Sequence, residues 1–441
     1  MTISKKPRYN LSLILQETGL KADTVRAWER RYKLPLPTRS EGGHRLYSDY
    51  DLATLKWLVS RQKEGMRISQ AVNYWMDLVN SGNDPLQQSK PKSRQVDSLA
   101  QMDDDIDTIE DLQQKWIEYC LDFDEPHAEQ ILSLAFAQFP LETVLSEVIL
   151  PSLNEVGELW YQGKVTVQQE HFISEVAINK IQTLITAAPN PVHTQRIMIS
   201  CAPGEQHTIV ILIITLLLRH RGWDVVYLGA NVPNNDLIKF IKDTKPALAV
   251  LNASRLSTAA ELLSTLNILL ENQIPATYGG WIFKQIPELV KIMPATYLGE
   301  KLPEAISIIE GLINNEGSGS KNAPYPLQNT DLVERLKKIR PELNSATLIN
   351  LPEQQKTIGT LDIFEVNQQL VLDISAALTL GDINYLQINL DWISGLISKR
   401  KIDHDQLIIY LGAFSKAIEG LLGPDANMII NWLQNPVIGK I

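Results

Sequence analysis

Apolar positions change their period along the chain, and each change marks a part. Between Tyr9 and Tyr47 a short apolar run, Leu11 to Leu15, is closed by Gly19, and a second segment then puts Val25, Trp28 and Tyr32 on one side. That spacing predicts two short helices joined by a tight turn, a helix-turn-helix. From about residue 108 to 188 the period is helical throughout, as in Leu132, Ala135, Phe136 and Phe139, then Val144, Leu145, Val148 and Ile149. A helical bundle is expected there. From Gln195 short β-branched runs alternate with longer helical ones: RIMIS, DVVYLG, ALAVLNAS and IPATYGG read as strands. Strands separated by helices imply a parallel sheet covered on both faces, a Rossmann-like unit whose working loops lie at its carboxyl edge. Beyond it the helical period returns in Leu370, Leu372, Ile374 and Leu378, and in Ile408, Leu411, Phe414 and Ile418, with no chemistry attached.

Polar stretches separate these parts. Residues 81–107 read SGNDPLQQSKPKSRQVDSLAQMDDDID and 316–327 read EGSGSKNAPYPL, both linker compositions. The expected division is a helix-turn-helix head at 1–80, a mobile linker at 81–107 and a bundle at 108–190. A Rossmann-like domain at 194–315, a second linker at 316–327 and a helical extension of unknown role at 328–441 complete it. At 441 residues, about three domains are expected.

Charge adds the first functional inference. Residues 1–80 carry 14 Lys and Arg against 8 Asp and Glu, and the remainder carries 27 against 43. A basic head on an acidic body fits a phosphate-backbone binder joined to a regulatory module. Two cysteines, Cys120 and Cys201, exclude a disulfide framework and fit a reducing compartment. The basic start lacks a secretory core, and the apolar run Ile209 to Leu218 is shorter than the roughly 20 residues of a bilayer span. A cytoplasmic protein without a membrane partner is expected.

Within the head, Lys21, Thr24, Arg26, Arg30 and Arg31 lie opposite the apolar side and offer donors to phosphates and base edges. Pro35 and Pro37 then break the helix, and Arg39, Gly42, Gly43, His44, Arg45 and Tyr47 form a basic, hairpin-like segment. The string resembles the MerR family: Arg-x-Trp-Glu-x-Arg-Tyr is met by Arg26 to Tyr32. The family's Arg, three residues, Gly-x-Arg-x-Tyr and an acid are met by Arg39 to Tyr47 with Asp51. The resemblance implies a winged helix-turn-helix that binds double-stranded promoter DNA.

Two further constellations lie in the centre. ELWYQGKVTVQQEH sets Trp160 nine residues before Glu170 and His171, and Thr166 with Gln169 forms a capping box that starts a helix beneath them. SCAPGEQHTIV sets Glu205 and His207 in the loop after the first strand, where a doubly wound sheet binds its ligand. An acid beside a histidine orients the ring and raises its basicity as a metal ligand. Together these motifs resemble the cobalamin-binding photoreceptor regulators of the CarH and LitR type, over about residues 8–312. The resemblance implies a corrin under Trp160, Glu170 and His171, with His207 as lower axial metal ligand and Glu205 beside it. It also implies a nucleotide slot lined by Ser254, Leu256, Gly279 and Gly280. Two positions depart from the family: Val210 stands where it has Gly, and Tyr161 where light-sensing members often have His. Haem, or a bilin near Cys201, is therefore the alternative ligand.

The expected function is a non-enzymatic, ligand- or light-responsive transcription regulator. It senses adenosylcobalamin and couples it to homo-oligomerisation and DNA affinity. The alternative class is a corrinoid methyl-transfer protein, which has no need of a DNA head. The other histidines, His127, His193, His220 and His404, are scattered.

Overall fold

A computed structural model describes residues 4–39, 43–63, 66, 68–80, 86, 108–314, 323–352, 363–399 and 404–435. The chain forms two compact units, Met1–Ile106 and Asp107–Ile441. Gly42 and nearly all of the linker expected at 81–107 lie outside the described residues.

In the first unit, β1 (Pro7–Asn10), α1 (Leu11–Thr18) and α2 (Ala22–Tyr32) precede a pair of short strands, β2 (Thr38–Arg39) and β3 (Arg45–Ser48). The helices α3 (Asp49–Lys63) and α4 (Ile68–Asn80) follow. The strands pair antiparallel in the order β1-β3-β2. Asn10 caps α1 by accepting the Leu13 N–H at 3.0 Å, and Gly19, at φ 71°, ends it by donating to Leu15 O. Left-handed backbone at that turn is what a residue without Cβ supplies. Ile14, Val25, Trp28, Leu55, Leu58 and Trp75 form the core.

The second unit opens with α5 (Ile109–Leu121) and α6 (Glu125–Gln138). A nearly continuous helix follows: α7 (Leu141–Thr143), a π-helical stretch over Val144–Ile149 and α8 (Leu150–Tyr161). The bundle closes with α9 (Val167–Thr186). The five-stranded sheet holds β4 (Arg196–Cys201), β5 (Asp224–Gly229), β6 (Leu248–Asn252), β7 (Ala276–Gly279) and β8 (Thr296–Tyr297). All neighbours are parallel, in the order β5-β4-β6-β7-β8. The order reverses direction at β4, so the crevice of a doubly wound sheet falls between the ends of β4 and β6. Its helices are α10 (Ile209–His220), α11 (Leu237–Thr244), α12 (Leu256–Glu271), α13 (Trp281–Gln285) and α14 (Leu302–Asn314).

The extension adds α15 (Thr330–Lys338), α16 (Arg340–Asn350), α17 (Ile363–Leu380), α18 (Gln387–Lys399), α19 (His404–Leu422) and α20 (Asn427–Gln434). It shares one hydrophobic core with the sheet: Ile374, Leu378, Phe414 and Ile418 belong to the same cluster as Leu251, Leu263 and Leu266. The reason is that α17 is apolar on more than one side, so it needs a second partner besides its own bundle. Residues 323–327, within the expected second linker, are docked rather than free. Asn267 of α12 donates to Tyr325 O at 2.8 Å and accepts its N–H at 3.1 Å. One helical stretch, Asp405–Gln434, is long and apolar enough by composition to cross a membrane, and its Phe414, Ile418 and Leu433 are buried in this core.

Asp373 is buried inside the extension, and that burial raises its carboxyl to about 6 against hydrogen bonds from Gln369 and Asn389 and the charge of Arg255. The fold therefore favours the protonated form. Its contribution to stability is complete below the unfolded value near 3.8 and is lost as the pH rises through about 6. Asp373→Asn is expected to raise the urea midpoint at pH 7, corresponding to about 1–3 kcal/mol, and to flatten the profile between pH 4 and 6. Identical profiles for variant and wild type would show that Asp373 does not set this dependence.

Candidate nucleic-acid and ligand sites

The head presents its basic residues as the amphipathic spacing requires. Lys21, just before α2, and Arg26, Arg30 and Arg31 on it are exposed and Thr24 is half-buried, while Val25 and Trp28 face the core. Arg39 and His44 are exposed on the β2–β3 segment. Of the residues assigned to the contact surface, Tyr47 serves the fold instead, and Arg45 has a partner within the fold. Tyr47 has no exposed area and packs in the core, where burial raises its phenol. Arg45 donates through Nε to both carboxylate oxygens of Glu29, at 3.2 and 2.9 Å, so it pins β3 to α2. The sequence reading did not assign Asp51 its structural work. Its two oxygens accept from Leu36 N–H, Ser48 N–H and the Ser48 hydroxyl, fixing the segment after α2 to the start of α3.

In the second unit, the loop between β4 and α10 is built around one carboxylate. Glu205 has no exposed area. Its Oε1 accepts from the N–H groups of Gln206 and His207, both at 2.9 Å, and lies 2.5 Å from His207 Nδ1. Its Oε2 accepts from Ser254 N–H at 2.6 Å and from the Thr258 hydroxyl at 2.7 Å. Burial alone would raise this carboxyl, but hydrogen bonds from His207, Ser254 and Thr258 outweigh it and hold it down to about 2. Glu205 is thus ionised and ties the loop after β4 to the turn after β6, across the switch point of the sheet.

An acceptor-only carboxylate at Nδ1 places the ring hydrogen there and leaves Nε2 as the base. The His207 side chain is 64% exposed. Asn252 Nδ2 donates to His207 O at 3.0 Å, and Asn231 accepts Gly204 N–H at 2.7 Å, so the loop is held at three further points with Arg255 on Gly204 O. None of Asn231, Asn252 and Thr258 was picked out from the sequence; only their places at strand and helix ends hinted at them.

The remaining candidates divide. Leu256, at the start of α12, is fully buried and seats that helix in the core, which corrects its placement on the slot. Gly280 sits at φ 135°, where a Cβ would collide with the Ala253 carbonyl, so it closes the end of β7 on β6. Gly279 is half-buried, and a Cβ there would meet only Leu298 at 4.0 Å. Val210 is 41% exposed in the regular first turn of α10, so its branched side chain leaves the loop undisturbed. On the bundle, Thr166 and Gln169 cap α9 reciprocally. Glu170 Oε2 lies 2.6 Å from His171 Nδ1, and the His171 side chain is 72% exposed. Trp160, ending α8, stacks on Trp392 of α18 at 6.3 Å. A cleft of about 660 Å³ opens beside it, bounded by Gly163, Thr166 and Lys399.

Cys201 is buried, and burial pushes its thiol up to about 12. A buried, protonated thiol is poorly placed to attach a bilin covalently. Among the described residues no group of three or more His, Cys, Asp or Glu could hold a metal ion on its own. A single imidazole backed by a carboxylate is instead the donor that fits a metal already held in a macrocycle.

Comparison with known families agrees with this architecture. The MerR HTH family of regulatory proteins matches residues 9–75, and two B12 binding domains match 112–185 and 195–301. The chain thus joins a region that matches the MerR regulatory proteins to two regions that match B12 binding domains. It is 29% identical over 281 residues to the HTH-type transcriptional repressor CarH of Myxococcus xanthus, covering 62% of this chain and 88% of that protein. The repressor CarA of the same organism is 24% identical over 271 residues, covering 60% and 84%. Among solved structures, the Methanosarcina barkeri monomethylamine corrinoid protein is similar with a TM-score of 0.41 and 16% identity, covering 46% of this chain and all of that one.

Proposed function

We propose that the chain is a light-responsive repressor of transcription that senses adenosylcobalamin between bundle and sheet. The single observation carrying this reading is His207, exposed, with Nδ1 held by the buried carboxylate of Glu205. His207 would hold the cobalt, and Glu205 would orient its ring. Trp160, Glu170 and His171 are assigned to the upper side, and Ser254 and Gly279 to the nucleotide slot. Adenosylcobalamin, when bound, supplies a cobalt that takes an imidazole and a cobalt–carbon bond that light breaks. The chain's own part is to hold that ring, exclude water with Trp160, and change how α9 packs on the sheet side. Homo-oligomerisation is the proposed readout, changing DNA affinity because each ligand state favours a different assembly. Names of the two repressors similar to this chain set the proposed sign.

The test is size-exclusion mass and operator affinity of the loaded full chain, in darkness and after green light, with Trp160→Ala as control. Mass and affinity are expected to change together in the wild type and not in the control. An unchanged pair in loaded wild type would reject light sensing. For the head, Arg26→Ala is expected to weaken duplex binding by about 1–3 kcal/mol if it reads a base, with affinity falling as salt rises. Binding that ignores salt would reject the basic face as the contact surface.

A further inference from the structure

The extension carries no chemistry of its own, yet it grips both sides of the proposed site. Its α17 lies along α12, the helix that starts just after Ser254. Ala376, Ala377 and Leu378 share a core with Ala259, Ala260 and Leu263, so the extension is anchored to the sheet side. Its other arm reaches the bundle. On α18, the Trp392 ring stacks on Trp160 at 6.3 Å and 29°, and lies 5.9 Å from the Tyr161 ring. The Tyr161 hydroxyl donates to Trp392 O at 3.2 Å. Gly395, one turn on, makes this approach possible, because a Cβ there would collide with that same hydroxyl. A glycine inside a helix is unfavourable by itself, so a close contact is the reason to find it there. Trp392 is 43% exposed, so its ring serves the contact more than the core of the extension.

We infer that the extension is an intramolecular clasp: α18 docks on the Trp160–Tyr161 end of the bundle while α17 is anchored on α12, opposing entry of a ligand between bundle and sheet. Trp392 and Gly395 are its positioning residues and act on the site through Trp160. What enters the gap rests on the ligand reading above; the docking does not. A contact that spans two bodies has to yield before they separate, so a ligand that needs a wider gap binds against it. By linkage, releasing the clasp strengthens binding.

The experiment has two arms on the full chain. The first is hydrogen exchange without ligand, comparing wild type with Gly395→Val, Trp392→Ala, Trp392→Phe and Tyr161→Phe. In Gly395→Val the obstructed atom ends a movable side chain, so the variant is expected to undock rather than unfold. Residues 155–163 and 387–399 are expected to exchange at least tenfold faster in Gly395→Val and Trp392→Ala, with α12 unchanged. Trp392→Phe, which keeps a ring, is expected to stay near wild type, and Tyr161→Phe to show a smaller increase in the same two segments. Unchanged exchange in Gly395→Val and Trp392→Ala overturns the clasp. In the second arm, adenosylcobalamin titrated in darkness is expected to bind both variants three- to tenfold more tightly than wild type. Equal or weaker binding overturns the opposition to ligand entry. A wild type that binds no cobalamin while exchange behaves as expected overturns the ligand reading and leaves the clasp standing.

Discussion

His207→Ala is expected to lower cobalamin affinity ten- to a hundredfold or more and to replace a histidine-coordinated absorption spectrum with a water- or base-coordinated one. The fold is expected to survive, since the side chain is 64% exposed and its loop is held by backbone bonds to Glu205 that the substitution leaves in place. Glu205→Gln separates ligation from orientation. The amide oxygen is needed by the Gln206 and His207 N–H groups, so the amide N–H falls where Ser254 N–H was accepted; the tie to the turn after β6 is lost, and His207 Nδ1 faces a neutral acceptor in place of a charged one. Loss of such an orienting acid typically costs 10–100-fold in metal affinity. Stability should fall too, by about 1–3 kcal/mol, because a buried charge-assisted network loses an acceptor. Absorption titrations read the first effect and urea unfolding the second. Wild-type affinity and spectrum in His207→Ala would remove the residue from the site altogether.

What the sequence made legible was whatever depended on neighbours in the chain. The capping box at Thr166, the turn at Gly19 and the alternation of strands and helices are local patterns, and each appears where the period placed it. The Glu205–His207 loop was legible for the same reason, since a strand end followed by a helix start defines the crevice. Exposure was not legible, because the motif containing Arg45 and Tyr47 fixes their order and says nothing of which side chain Glu29 holds or which the core swallows. The short strands β1 and β8, four and two residues long, are too brief for an alternation to register. Least legible was the docking of the extension. Tyr161 and Trp392 are 231 residues apart, and periodicity shows that α18 has an apolar side without naming what that side meets.

The paired glycines at the end of β7 give the sharpest separation of structure from ligand. Gly280→Ala is expected to destabilise the second unit by about 3–5 kcal/mol, from two causes acting together. Its φ of 135° lies where residues with a Cβ are strained, and the added atom would meet the Ala253 carbonyl, a backbone group that cannot swing aside. Relief requires β6 and β7 to part, yet Ala253 N–H donates to Gly279 O at 3.1 Å just there. Gly279→Ala meets neither obstacle: its nearest new neighbour is the Leu298 side chain at an ordinary contact distance, so a change under about 1 kcal/mol is expected. If Gly279 lines the slot, its alanine variant should nevertheless bind adenosylcobalamin more weakly, by several-fold, at nearly wild-type stability. Urea midpoints and absorption titrations on the two variants read these effects apart. Equal destabilisation of both would show that the close approach at Gly280 is not what fixes this edge of the sheet.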